Sequence, residues 1–302
     1  HDRHIALFTG GHGLLGEAEA GDLAEIFARL HRGDVEYRLT RDRPRGEVGG
    51  VIEDLGFRAR LDRHALLLGL EAPRKLGVDI GVEAHVDGAA GEATHLRYAL
   101  ERGFGGVVFY PYAYRSNRAL VEEVSRRIPL VTIDRRTASL ETDFVGIDNR
   151  QAMFDMTMHL VAQGHRRIAY VTKCEQIRPV QDRVQGYVDA VRAAGVPEMV
   201  LTIPSQHRSN PWVVVDTIFR LPRAERPTAA VVFNDYAAVS LLDRLQNLGL
   251  TVPGDVALTG FDNIIPALPN GIGLTTVAQP FEEIGRRAVE LLLRRMKEPT
   301  VP

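Results

Sequence analysis

The chain lacks what several classes of protein require. A single cysteine, Cys174, stands among 302 residues, so no intrachain disulfide can form, a usage that fits a reducing cytoplasm. No apolar run approaches the roughly 18–20 residues of a membrane helix. The first residues show none of the basic, apolar and small-residue regions of a secretory signal. The ten histidines avoid H-x-x-x-H and His/Cys spacing, with His31, His64, His159 and His207 scattered, which argues against a metal site. Neither a Gly-x-Ser-x-Gly elbow nor a Walker loop occurs. Cys174 beside Lys173 has no paired histidine to activate it. No cofactor is called for, and the sequence points away from an enzyme. Excess positive charge is missing too: the formal net charge is −2, and residues 1–47 carry 7 Arg and no Lys against 9 acidic residues. That balance leaves no electrostatic footprint for nucleic acid.

What is present is an ordinary globular composition, 45% hydrophobic and 25% charged, in a chain long enough for two lobes with separate cores. From Val48 onward, strand-like and helix-like segments alternate. That order predicts an α/β protein with parallel sheets built from βαβ units. The strand candidates are Val48–Glu53, Val78–Ala84, Gly106–Tyr110, Leu130–Ile133, Ile168–Thr172, Ala229–Phe233 and Val256–Phe261. Between them run helical stripes, among them Val184, Tyr187, Val188 and Val191, then Ala237, Leu241, Leu245 and Leu248, then Ile284, Ala288, Leu291 and Leu292. These stripes are read as core. Gly103, Gly164, Gly195 and Gly249 sit where a helix-ending left-handed glycine belongs.

In open parallel sheets, ligands sit just beyond the carboxyl ends of the strands. Those positions hold His85 and Asp87, Tyr110 and Tyr112, Asp134 and Arg135, Lys173, Asn234 and Asp235, and Asp262 and Asn263. Carboxylates, amides and guanidinium groups with aromatic faces suit a polyhydroxylated ligand. For any one of these residues the plain reading, that loops are polar, is the stronger. For the set as a whole the ligand reading is better. Asp182-Arg183 and Asp134-Arg135 also admit a structural reading as neighbouring salt bridges.

Six segments carry a resemblance: Phe144-Val-Gly-Ile-Asp148-Asn149, Gly164-His-Arg-Arg-Ile-Ala-Tyr170, Arg183-Val-Gln-Gly-Tyr187, Phe233-Asn-Asp-Tyr-Ala-Ala238, Val252-Pro-Gly-Asp-Val-Ala-Leu-Thr-Gly-Phe-Asp262-Asn263 and Thr275-Thr-Val-Ala-Gln279. In order and spacing they resemble the LacI/GalR repressors, over most of the chain from Val48. The resemblance implies a fold of two Rossmann-like lobes, of the type I periplasmic-binding-protein kind, with a ligand cleft between them. It implies ligand contacts from Arg183, Asn234, Asp262 and Gln279 in the second lobe and Asp148 at the crossover. Arg135, Tyr110 and Tyr112 would serve the first lobe. The partners it implies are a sugar or related polyol as effector, a second copy of the chain, and operator DNA through a module not recognisable in these residues. Ligand would close the lobes about the crossovers. Val48-Gly-Gly-Val-Ile-Glu-Asp-Leu-Gly-Phe57 departs from the family's first strand, which leaves Asp54 and Phe57 as weak candidates. Members of the family add a final strand after the last helix, so the natural C-terminus is expected beyond Pro302.

The expected domains are residues 48–147 with 280–302 as the first lobe, 148–279 as the second, and 1–47 as an N-terminal extension of unassigned role. Within that extension, Gly11, Gly13 and Gly16 satisfy G-x-G-x-x-G after the strand-like His4–Phe8, a loop that resembles the dinucleotide site of short-chain dehydrogenases. Against an NAD(P)-binding enzyme, no Tyr-x-x-x-Lys pair exists in the chain and the segment is net acidic. Asp22–Arg38 also reads as a winged-helix remnant. A solute-binding protein of a sugar transporter is the alternative that would share the fold. Leu66, Leu67 and Leu70 are candidates for a dimer contact or for core.

Overall fold

In the computed structural model, the described residues are 3–9, 78–84 and 88–298, apart from 113–116, 139, 175–176, 205–210, 266 and 270. The chain divides into two compact units, His1–Gly146 with Pro280–Pro302, and Ile147–Gln279. Each is an α/β layer structure with a parallel sheet. Strand-candidate Val48–Glu53, with Asp54 and Phe57, lies outside the described residues, as do Gly11, Gly13, Gly16, Leu66, Leu67, Leu70, His85 and Asp87.

The first unit contains strands β1 (Arg3–Thr9), β2 (Val78–Ala84), β3 (Gly106–Phe109), β4 (Leu130–Ile133) and β5 (Asp143–Val145). Its helices are α1 (Gly88–Arg102), α2 (Arg118–Arg127) and, after the chain returns, α7 (Phe281–Lys297). The described sheet runs β2-β1-β3-β4-β5 with parallel pairing. β1 lies inside this order, registering Ile5 with both Ile80 and Gly106. Here the structure differs from the expected boundary at Val48: the strand-like run near the N-terminus is part of the first unit's sheet. The physical reason is in the run itself, because Ile-Ala-Leu-Phe is a continuous apolar stretch, which suits an inner strand of a parallel sheet. The Gly-rich sequence after it drew attention to a separate module and away from that signal.

Leu96 and Ala99 of α1 and Val121 and Val124 of α2 pack with Val107 and Phe109 of β3 and Leu130 of β4. α7 presents Ile284, Ala288, Val289 and Leu292, all buried. A Cβ on Gly106 would lie 2.9 Å from Leu292 Cδ1, so β3 and α7 approach as closely as glycine permits. Arg295 of α7 grips Asp143 of β5 through two contacts, Nε to Oδ2 at 2.5 Å and Nη2 to Oδ1 at 2.9 Å. That paired geometry fixes the helix along the sheet.

The second unit contains β6 (Ile168–Lys173), β7 (Val200–Ile203), β8 (Ala229–Val232), β9 (Ala257–Asp262) and β10 (Thr275–Ala278) in the order β10-β9-β8-β6-β7, all parallel. Helices α3 (Asn149–Ala162), α4 (Arg178–Ala193), α5 (Val213–Phe219) and α6 (Asp235–Asn247) complete it. The stripes expected to be core are buried at Tyr187, Val188 and Val191 of α4 and at Ala237, Leu241 and Leu245 of α6. Gly103, Gly164, Gly195 and Gly249 take φ values of 67°, 93°, 62° and 74°, the left-handed conformation that ends a helix cheaply only at glycine.

Two of the sequence motifs are explained by packing. The tyrosines that close Gly164–Tyr170 and Arg183–Tyr187 stack with ring centroids 5.2 Å apart. The Tyr187 hydroxyl donates to the Ile168 carbonyl at 2.8 Å and accepts from the Met199 amide at 2.9 Å, and burial pushes it up to about 12. In the Thr251–Asp255 turn, Asp255 Oδ2 accepts from the Thr251 amide at 3.0 Å and its hydroxyl at 2.7 Å, while Arg226 Nη2 lies 2.7 Å from Oδ1. These bonds from Thr251, then the Arg226 charge, hold the Asp255 carboxyl below its usual range. The turn therefore sets the start of β9.

Gly186 lies where α4 crosses α3: a Cβ there would fall 2.1 Å from the Arg150 carbonyl oxygen. Gly186→Ala is expected to destabilise the protein by about 1–3 kcal/mol, the usual cost of overpacking. Urea denaturation followed by circular dichroism measures it, and an unchanged midpoint would mean the helices do not meet this closely.

Candidate functional site

The ends of β8 and β9 and the start of α3 bring one cationic side chain into a buried position. Arg183, on α4, is only 6% exposed. Its Nε donates to Asn149 Oδ1 at 2.8 Å and its Nη1 to the Phe233 carbonyl at 2.6 Å. Nη2 lies 3.5 Å from Asp262 Oδ1, and the guanidinium carbon sits 3.6 Å from the Phe261 ring centroid. A buried guanidinium needs this many partners, since its planar fork of donors would otherwise be desolvated without return. Asp182, the neighbour weighed as its salt-bridge partner, pairs instead with Arg178 at 2.8 Å. Gln279, at the end of β10, donates from Nε2 to Asp262 Oδ1 at 2.7 Å. Of the residues expected to hold ligand, Arg183, Asp262 and Gln279 thus form one connected group.

Asp262 and Asn263 leave β9 with φ values of 105° and 57°. Two consecutive non-glycine residues at positive φ are costly. The turn they make is held by hydrogen bonds from its backbone amides to Asp235 and Thr276. Asp235, fully buried at the start of α6, accepts from the Ile264 amide at 2.7 Å, the Ile265 amide at 3.3 Å and the Thr276 hydroxyl at 2.6 Å. Thr276 Oγ1 in turn accepts from the Asn263 amide at 3.3 Å. Burial pushes the Asp235 carboxyl up from its ordinary value, against the pull of these donors.

Two expected ligand residues have structural duties. Asp148 is exposed and caps α3, accepting from the Gln151 amide at 2.9 Å. Asn234 caps α6, accepting from the Ala237 amide at 2.9 Å. Their successors, Asn149 and Asp235, are the buried ones. The capping rule accounts for the first residue of each polar pair at the helix end. Lys173 lies at the end of β6 with Nζ 5.2 Å from the Phe233 ring centroid.

The first unit holds its own cluster. Asp134, at φ 58°, turns the chain after β4, and its amide donates to the Val145 carbonyl at 2.9 Å. Arg135 then places its guanidinium carbon 4.6 Å from the Tyr110 ring centroid and donates from Nη1 to the Tyr112 carbonyl at 2.8 Å. Its distance to Asp134 Oδ2 is 3.7 Å, so the neighbouring salt bridge is a secondary contact. Tyr112 is 53% exposed. Tyr110, Tyr112 and Arg135 are therefore assembled together at the ends of β3 and β4. Glu92 was missed: it is buried on the same stripe of α1 as Leu96 and Ala99, and accepts from the Tyr112 amide at 2.6 Å and Asn117 Nδ2 at 2.8 Å. A carboxylate at i of an apolar i, i+4, i+7 stripe was its signal.

No group of three or more residues suited to a metal ion occurs among the described residues. No helix among them is long and apolar enough to cross a membrane.

Comparison with known proteins gives a consistent result. Residues 157–302 match the family model described as a periplasmic binding protein-like domain. The arabinose metabolism transcriptional repressor of Geobacillus stearothermophilus is 34% identical over 178 residues, covering 58% of this chain and 49% of that protein. The HTH-type transcriptional repressor CytR of Escherichia coli (strain K12) is 35% identical over 182 residues, covering 59% and 52%. The chain thus spans about half the length of these relatives. Among solved structures, a regulatory protein of LacI family from Chloroflexus aggregans superposes with a TM-score of 0.65 at 21% identity, covering 98% of this chain and 91% of that one. A LacI family transcriptional regulator from Lactobacillus casei with bound glucose gives 0.62 at 19% identity, covering 99% and 95%. These two likenesses are of fold.

Arg183→Met keeps an apolar stem and strips the Phe233 carbonyl, Asn149 Oδ1 and Asp262 of their donor. It is expected to cost about 3 kcal/mol or more in urea denaturation, as removal of one partner from a buried ionic group does. A loss under about 1 kcal/mol would contradict the buried network.

Proposed function

We propose, from the premise that this chain belongs to the LacI/GalR family as an effector-binding core, that it is the ligand-sensing part of a transcriptional repressor whose effector is a sugar or a related polyol. The observation that carries the proposal is the Arg183–Asp262–Gln279 network at the carboxyl ends of the second unit's strands. Asp262 is left partly exposed beside a fully engaged guanidinium. A carboxylate fixed in this way can accept hydrogen bonds from vicinal hydroxyls without reorganising, and the amide of Gln279 adds donor and acceptor capacity. The arabinose repressor among the relatives and the bound glucose of the Lactobacillus structure support the sugar class.

A repressor of this kind reads paired half-sites and works as a pair of copies. Light scattering at micromolar concentration is expected to give the mass of a dimer. A strictly monomeric protein would count for the transport-binding alternative.

Thermal shift and calorimetry with L-arabinose, D-glucose and adenosine test the ligand class. A sugar at a hundred times its Kd adds roughly 2.7 kcal/mol of stability. Asp262→Ala is expected to weaken a binding sugar by about 10- to 100-fold, the equivalent of ~1.5–3 kcal/mol for a hydrogen bond to a charged group. The fold should persist because Arg183 keeps its hydrogen bonds to Asn149 Oδ1 and the Phe233 carbonyl. Undiminished affinity in the variant would remove Asp262 from the site.

A further inference from the structure

We infer that Asp235 is the positioning residue of the ligand arm: it holds the left-handed Asp262–Asn263 turn, and so aims Asp262, without itself reaching the ligand. This rests on the ligand-binding reading given for Asp262. Three independent facts converge on Asp235. It is completely buried. Its two oxygens accept from donors on two different segments, Oδ2 from the amides of Ile264 and Ile265, and Oδ1 from the Thr276 hydroxyl. A Cβ on Gly260 would meet Asp235 Oδ1 at 2.2 Å, so the strand carrying Asp262 is glycine where the carboxylate passes.

The turn needs such a brace. Asp262 and Asn263 sit at φ 105° and 57°, and neither has glycine's freedom to adopt such values without strain. Amide donors two and three residues beyond Asp262 are drawn onto one buried oxygen, which pins the chain just after the strained pair. From the other side, the Asn263 amide donates to Thr276 Oγ1, whose hydrogen goes to Asp235 Oδ1. Both routes out of the turn therefore end on the same carboxylate. Thr276 also lies three residues before Gln279, the amide that donates to Asp262 Oδ1. Asp235 thereby sets the arm and the strand that carries its hydrogen-bond donor in common register.

Its chemistry also defines a conservative replacement. In Asp235→Asn the amide oxygen can still accept from Ile264 and Ile265, and the amide nitrogen can donate to Thr276 Oγ1. Asp235→Ala removes all three bonds, and Thr276→Val removes one and the link to Asn263.

The test is amide hydrogen exchange on the intact chain without ligand, followed at Ile264 and Ile265, with β6 and β8 amides as an internal reference. Asp235→Ala is expected to speed exchange at both amides by tenfold or more relative to that reference, Thr276→Val by less, and Asp235→Asn is expected to restore slow exchange. A sugar among L-arabinose and D-glucose that binds the natural protein should bind Asp235→Ala at least tenfold more weakly and Asp235→Asn close to normally. Unchanged exchange in Asp235→Ala overturns the brace, and accelerated exchange with undiminished sugar affinity overturns the positioning role. Should neither sugar bind the natural protein, the sugar reading fails by itself, and the exchange data still decide whether Asp235 holds the turn.

Discussion

The second unit is organised by the need to satisfy one buried guanidinium. Arg183 projects from α4 under the carboxyl ends of β8 and β9, where a charge removed from water must be repaid by several partners. Asn149, the Phe233 carbonyl, Asp262 and the face of Phe261 supply them from three separate segments. Those segments are then no longer independent: α3 must start where Asn149 can reach, β8 must end with its carbonyl toward α4, and β9 must deliver both a ring and a carboxylate. The close α3–α4 approach at Gly186, three residues from Arg183 on the same helix, is part of this constraint. So is the Tyr170–Tyr187 stack one residue further on, which locks α4 to β6.

Legibility in the sequence followed burial. The described strands expected from apolar runs, Val78–Ala84, Gly106–Phe109, Leu130–Ile133, Ile168–Lys173, Ala229–Val232 and Ala257–Asp262, occur within a residue or two of where they were expected. The ones not anticipated, β5, β7 and β10, all stand at an end of their described sheet. Such a strand is covered less and carries no continuous run: β5 is Asp-Phe-Val at intermediate exposure and β10 is Thr-Thr-Val-Ala with both ends exposed. Hydrophobic patterning finds a strand through the water it excludes. It is weak where a strand is defined mainly by its ladder of backbone bonds. The opposite error arose at Arg3–Thr9, an adequate apolar run whose glycine-rich sequel suggested a module of its own.

At the site, the difficulty was choosing within pairs. Asp148-Asn149 and Asn234-Asp235 each place two polar residues at the start of a helix, and composition cannot say which side chain turns inward. Helix geometry can. The residue before the first helical turn uses its oxygen on the orphan amides, so its successor is the one free to point into the protein. Arg183, Asp262 and Gln279, each named from its own motif, are joined in one connected group. Glu92 was hidden for a different reason: a carboxylate on a helix is usually solvated, and only its phase with Leu96 and Ala99 marks it as buried.

Both units use the same physical device, a carboxylate without water holding a polar loop at the strand ends. In the first, Glu92 takes the Tyr112 amide and the Asn117 side chain; in the second, Asp235 takes the amides beyond Asp262. Burying a carboxylate is expensive, and bonds to backbone amides recover that cost only while the loop keeps one conformation. The consequence is directional. A loop held by exposed polar contacts could adapt to many ligands at small cost. One whose release would strand a buried carboxylate resists rearrangement. Most of the entropy cost of ordering each loop is then met in folding.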